Sequence, residues 1–190
     1  MHYIKIPKER VAVLIGKKGS VKRDIEEKTG VHLYIDSREG EVSIDESEAE
    51  DPMGGIKAFN IVRAIGRGFS PERAMRLLDD DVYLEVIDIR EFSGKKKNSV
   101  RRVRGRLIGT KGKTRRLIEE LSGADVSVYG NTVSIIGDFL EMDIARNAIT
   151  MLLSGSEHST VYHYLERRRI DIKIAEMGIY YEEREPEDRE

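Results

Sequence analysis

The sequence predicts an α+β protein made of two similar modules in tandem, each running β-α-α-β-β-α, with a three-stranded antiparallel sheet covered by helices. Three observations predict it: an internal repeat, one hydrophobic pattern common to both copies, and a glycine loop at the same place in each. Leu14-Ile15-Gly16-Lys17-Lys18-Gly19 recurs 93 residues on as Leu107-Ile108-Gly109-Thr110-Lys111-Gly112. The match continues through Ile25-Glu26-Glu27 and Ile118-Glu119-Glu120, then Gly30 and Gly123. Val42-Ser43-Ile44 matches Val133-Ser134-Ile135 at an offset of 91, and Ala58 and Ile65 match Ala145 and Leu152 at 87. A fixed order with shrinking offsets is what two copies of one unit give when the second has shorter connections.

The elements follow in order. Val11 and Leu14, and in the second copy Val100, Val103 and Leu107, have helical spacing before each loop. Leu33 and Ile35, like Val126 and Val128, alternate as half-buried strands do. Ser37-Arg38-Glu39-Gly40 and the tighter Gly130-Asn131 read as turns into strands around 42–44 and 133–135. The apolar sets near 58–65 and 145–152 recur at i, i+3, i+4 and i+7, the mark of an amphipathic helix. Ser70-Pro71-Glu72 opens a further short helix, with Ser70 as cap and Pro71 at its first position. Leu84 to Ile89 is then the first strand of the second copy. The expected division is residues 1–69, a helical linker 70–82, a second module 83–181 with an extra C-terminal helix, and an acidic tail 182–190.

Composition sets the outer limits. The 190 residues contain 33 Lys or Arg and 35 Asp or Glu, and no Cys, so neither disulfides nor thiolate metal sites are available. No run reaches the roughly 18 apolar residues of a membrane span, and Met1-His2-Tyr3-Ile4-Lys5 lacks a signal-peptide pattern. A soluble, cytoplasmic protein without membrane attachment is expected. The 36% charged residues and the absence of Gln match the bias of heat-adapted proteins. The net charge of −2 conceals a strong polarity: Lys95 to Arg116 holds eleven basic residues and no acid, whereas Glu182 to Glu190 holds six acids and two Arg. A basic stretch of this kind is the electrostatic footprint of nucleic-acid binding.

The loops supply the chemistry. Glycines let a backbone come close to a phosphate, and the helix that follows offers unpaired amides and the positive end of its dipole. A GxxG loop between two helices can clamp a single strand while bases lie in an adjacent apolar groove. On the pattern I-G-x-x-G followed by E-E-x-[TS]-G, standing at Ile15 to Gly30 and Ile108 to Gly123, the chain resembles the KH family in its type I order. Where many KH modules have Ile three residues after the second Gly, this chain has Lys22 and Arg115, so more polar grooves are expected. The joint Gly66-Arg67-Gly68-Phe69-Ser70-Pro71 and the run Gly155 to Tyr162 are similar to those of twin-KH ribosome-biogenesis proteins of the partner-of-NOB family, in its archaeal form. That resemblance implies binding of single-stranded small-subunit rRNA near its 3′ end, in rRNA processing and subunit maturation, beside the endonuclease that trims it. It implies no catalysis and no cofactor, and it leaves an rRNA-processing endonuclease or a translation initiation factor subunit as protein partners.

The candidate RNA-binding residues are Gly109, Thr110, Lys111, Gly112 and Lys113, with Arg104, Arg106, Arg115 and Arg116, and in the first copy Gly16, Lys17, Lys18 and Gly19. The second copy is expected to dominate, because four Arg precede its loop while Asp24, Glu26 and Glu27 follow the first. Two alternatives stand beside this reading: an adaptor whose first module binds protein, and a KH protein of RNA decay or transcription. Gly112-Lys113-Thr114 is no P-loop, because Leu107 occupies the place of the first Walker glycine and a helix precedes the loop. His158 and His163 are five apart, which suits packing or capping better than metal. Asp79-Asp80-Asp81 reads as a solvent-facing helix end, and Arg167-Arg168-Arg169 as either basic surface or partners of the acidic tail.

Overall fold

The computed structural model describes residues 1–94 and 96–182; Lys95 and the acidic run after Glu182 lie outside them. The first module comprises β1 (His2–Lys5), α1 (Lys8–Ile15), α2 (Ser20–Thr29), β2 (His32–Asp36), β3 (Glu41–Asp45) and α3 (Gly54–Gly66). Then α4 (Pro71–Ala74) and a 3-10 turn, Met75–Leu78, lead to β4 (Tyr83–Asp88). The second module continues with α5 (Arg90–Ser93), α6 (Lys97–Ile108), α7 (Lys113–Ser122), β5 (Asp125–Tyr129), β6 (Thr132–Gly137), α8 (Phe139–Leu153) and α9 (His158–Glu182). Ser70 caps α4 with Pro71 at its first position, as its sequence predicts. The α5 turn has no sequence expectation: four residues are too few to show a period. It starts where Asp88 accepts the Arg90 amide at 2.8 Å, and the Arg90 side chain and amide hold the Asp88 carboxyl down to about 2.

Each sheet is antiparallel with its third strand in the centre, in the orders β1-β3-β2 and β4-β6-β5. Register places Ile4 and Ile35 on either side of Val42, and Ile87 and Val128 on either side of Val133. These rows face the helices, and each module has its own core, Leu14, Ile25 and Ile61 in the first and Leu107, Ile118 and Ile149 in the second.

The opposite faces of the two sheets differ. In the first, Tyr3 and Tyr34 flank Ser43 and are exposed. In the second, Ile136 is fully buried and belongs to the first module's core, beside Ala74 and Leu77. Strand β6 is therefore buried along its whole length, as a strand covered on both faces must be. Around this apolar contact, Arg73 reaches Glu119 at 2.6 Å, and Arg76 reaches Asp125 and Glu141 at 2.8 Å each. Arg10 of α1 donates to the carbonyls of Ile65 and Phe69 and lies 5.9 Å from the Tyr129 ring centre.

The Tyr129 hydroxyl donates to Glu9 at 2.6 Å, linking α1 to β5. That bond holds the Glu9 carboxyl below its ordinary 4.5, while burial and then Glu9 raise the Tyr129 phenol. A carboxylate whose folded pKa is depressed stabilises fully above its unfolded value and loses that contribution as pH falls through the folded one. Tyr129→Phe is accordingly expected to lower Tm slightly at neutral pH, and the gap to the parent should close below Glu9's lowered pKa. Phe keeps the ring, so a gap that persists in acid would show that the hydroxyl contributes independently of Glu9's charge.

Candidate nucleic-acid interface

The two glycine loops share one conformation. Gly16 and Gly109, which end α1 and α6, have φ 72° with ψ 176° and 175°, a region essentially reserved for glycine. Space excludes a side chain there as well: a Cβ on Gly16 would lie 2.8 Å from the Val21 amide nitrogen, and one on Gly109 2.8 Å from Thr114 Cβ. Gly19 and Gly112 then turn left-handed into α2 and α7. Between them, Lys18 (φ 54°) and Lys111 (φ 51°) are the two non-glycine residues with positive φ among those described. A left-handed lysine costs on the order of 1 kcal/mol and persists only where the surroundings over-determine it. Both are exposed. Neither α2 nor α7 has a side chain capping its start, so each first turn presents amides and a positive dipole end beside a lysine.

The second half of the repeated motif is architectural. Glu26 accepts the Leu33 amide at 2.7 Å, and its counterpart Glu119 accepts that of Val126 at 2.9 Å, tying each helix to the strand across from it. Thr29 and Ser122 donate back to Ile25 and Ile118 at 2.6 and 2.7 Å, and Gly30 and Gly123 close the helices in left-handed geometry.

The basic residues divide into two groups. Thr110, Lys111 and Lys113 are exposed around the second loop, as are Lys17 and Lys18 at the first. All four candidate arginines make bonds within the chain. Arg116 donates to the carbonyls of Lys111 (2.9 Å) and Gly112 (3.4 Å), bracing the loop. Arg115 pairs with Glu119 at 2.9 Å and reaches the Val126 carbonyl. Arg104 donates to Gly130 at 3.1 Å, and Arg106 to the Ser156 carbonyl. Arg101 and Arg102, by contrast, are exposed on α6. Near the first loop, Lys22 stands 3.7 Å from Glu26, and Lys28 pairs with Asp24 at 2.9 Å.

Beside the second loop lies a groove of about 400 Å³ lined by Ile108, Arg115 and residues Val126 to Val128. Gly68, Phe69, Ser70 and Arg73 form its other wall, which no motif within the second module announces. The signal was Gly68: at φ 100° its Cβ would come within 2.7 Å of Ser127 Oγ, and that hydroxyl donates to the Arg67 carbonyl at 2.9 Å. His158 bonds through Nε2 to the Arg106 carbonyl at 3.0 Å and packs near Tyr162, while His163 is exposed. Asp80 pairs with Lys57 at 2.7 Å, and Arg168 lies 4.0 Å from Asp143. Among the described residues no cluster of His, Asp and Glu is arranged to hold a metal, and no helix is long and apolar enough to cross a membrane.

Two modules of this topology, each with a GxxG turn between its first two long helices, define a tandem type I KH protein. The family described as "Eukaryotic type KH-domain (KH-domain type I)" matches residues 83–170, and the KH domain family matches 1–50. The chain belongs to the PNO1 (Dim2) family of twin-KH proteins. It is 52% identical to a KH domain-containing protein of Methanocaldococcus jannaschii, over 93% of this chain and 78% of that one. It is 27% identical to the pre-rRNA-processing protein pno1 of Schizosaccharomyces pombe, over 85% and 68%. Among solved structures, Dim2p of Pyrococcus horikoshii in a complex with a/eIF2alpha and rRNA superposes with a TM-score of 0.84 at 55% identity, covering 90% of this chain and 94% of that one.

Proposed function

We propose that this protein binds single-stranded small-subunit rRNA near its 3′ end through its two GxxG loops, and acts in rRNA processing and small-subunit maturation by holding RNA rather than cutting it. The observation that carries this is the pair of superposable loops, each with an exposed lysine kept in a left-handed conformation beside an uncapped helix start. The contacting groups are Gly16 to Gly19 and Gly109 to Lys113. Arg104, Arg106, Arg115 and Arg116 shape that surface and add positive potential to it. Relatives named for pre-rRNA processing, and a similar structure solved with rRNA and an initiation factor subunit, support the same reading. A translation initiation factor subunit is the favoured protein partner, an rRNA-processing endonuclease the second, and the cytoplasm the setting.

Each module, taken as residues 1–69 and 83–181, grips only about four nucleotides. Joined through a packed linker, the second grip is intramolecular, and affinity rises by roughly 10²–10⁴ when one strand reaches both. An oligonucleotide of about ten nucleotides copied from the rRNA terminus is therefore expected to bind well above a scrambled one of equal composition. Equal affinities would reduce the protein to a nonspecific single-strand binder. Log affinity should also fall linearly with log salt, with a slope near −3.5 for about five phosphate contacts. A flat dependence would remove the loops and their basic surroundings as the RNA site.

A further inference from the structure

A second groove lies in the first module, away from both glycine loops. Strand β1 is an edge strand. The Ile6 amide bonds to Gly40 at 2.9 Å, and antiparallel bonds fall on alternate residues. The ladder to β3 therefore uses His2, Ile4 and Ile6, and the amides and carbonyls of Tyr3 and Lys5 face away from the sheet. Along this edge, between β1 and α3, runs a groove of about 740 Å³. Ile4, Ile6 and Phe59 give it an apolar floor. It narrows at Gly66, where the missing side chain lets helix and strand touch: a Cβ there would be 2.6 Å from Ile6 Cγ2.

The charge of the groove is one-sided. Lys5, Lys8, Arg63 and Arg67 line it against the single carboxylate of Glu39. Lys5 lies 3.3 Å from Glu41 and 4.0 Å from Glu39, and Lys8 lies 3.5 Å from Glu39, whereas Arg63 and Arg67 form no salt bridge among the described residues. The second module is built differently at the corresponding place. By the repeat, Leu153 stands where the first module has Gly66, and it is buried in the core. Arg146 of α8 also ties the helix to β4 through Glu85 at 2.6 Å, where the first module places the His2 and Phe59 rings 6.0 Å apart.

We propose that the β1–α3 groove docks an extended acidic segment of a partner protein. The segment adds a fourth strand to β1, sets alternate apolar side chains on Ile4, Ile6 and Phe59, and brings its carboxylates to Arg63 and Arg67. Strand addition gives affinity through main-chain bonds and selects through alternate side chains. RNA suits the cations but not the edge: the amides and carbonyls of Tyr3 and Lys5 ask for donors and acceptors at strand spacing, which an extended peptide presents and a sugar-phosphate backbone does not.

The test uses the full chain and a fluorescein-labelled peptide of about eight residues, a usual strand length, alternating Glu or Asp with Val or Ile. Anisotropy should show saturable binding, and an analogue with Lys for each acid should bind at least about tenfold more weakly. N-methylation of one alternate set of peptide amides should abolish binding, while N-methylation of the other set should leave it largely intact, because only one set can face β1. The double variant R63E/R67E should weaken the acidic peptide roughly tenfold while RNA affinity is unchanged. The peptide results need no variant, so the proposal remains testable even if the double variant misfolds. Absence of binding, equal tolerance of both N-methylated sets, or equal binding of the Lys analogue would overturn the proposal. Loss of RNA binding in R63E/R67E would assign the groove to nucleic acid. Peptide binding that emerges only after removal of residues 183–190 would assign it to the chain's own acidic end.

Discussion

Thr110→Asp with Lys111→Asp is expected to weaken single-stranded RNA binding by about 2–4 kcal/mol, through loss of roughly two charge-assisted contacts and the repulsion put in their place. The substitution places negative charge at the proposed phosphate position and leaves Gly109 and Gly112 untouched. It also suits the backbone: Lys111 has φ 51°, and Asp is among the non-glycine residues that tolerate this region best. Tm should therefore change little, which separates a binding defect from a folding one. The matching change at Lys17 and Lys18 should cost less. Its loop has the same shape, but the helix after it carries Asp24, Glu26 and Glu27, and the helix before it lacks the exposed Arg101 and Arg102. Equal losses at the two loops, or a larger loss at the first, would overturn the expected dominance of the second module. Filter binding or anisotropy at fixed salt, with circular dichroism on both variants, decides the matter.

The loops were legible in the sequence because their backbone makes a demand that few residues meet. A turn with ψ near 176° at Gly16 and no room for a Cβ admits only glycine, and the demand is written twice. Most strands and helices were legible for a similar reason, since they bury one face and the periods follow. The arginines were not separable by sequence. In one dimension Arg104, Arg106, Arg115 and Arg116 form a single basic run. In three they meet Gly130, Ser156, Glu119 and Lys111, partners fixed by the fold, the farthest of them 50 residues away in the chain. Exposed beside the loops are Lys17, Lys18, Thr110, Lys111 and Lys113, with Arg101 and Arg102 on α6. The joint between modules did leave a trace. The first module's central strand alternates and ends Ile44-Asp45, whereas the second reads Ile135-Ile136. Two adjacent isoleucines put apolar surface on both faces of one strand, and only a second packed layer accounts for it. The left-handed lysines left none, because a lysine on the surface looks the same in sequence whatever its φ.

Ile136→Ala tests that layer and is expected to cost about 2–4 kcal/mol, the range for deleting a large buried aliphatic side chain. Ile136 is fully buried, yet its neighbours are Ala74, Leu77 and other members of the first module's core. Ile135→Ala, one residue away and equally buried, should cost a similar amount, but it empties space inside the second module's own core. The two variants are therefore matched in size and strand and differ in which contact they remove. After Ile136→Ala, urea unfolding should broaden or split, because the modules lose the packing that makes them unfold together. Ile135→Ala should shift the midpoint with less effect on cooperativity. RNA binding should diverge as well. A strand of about four nucleotides needs one clamp and should bind the Ile136 variant almost as well as the parent. A strand of about ten reaches both clamps and gains from their fixed spacing, so it should lose a large part of its advantage in the Ile136 variant alone. Identical behaviour of the two variants in both assays would mean that the Arg73 and Arg76 ion pairs, and not the buried isoleucine, hold the modules at their working distance.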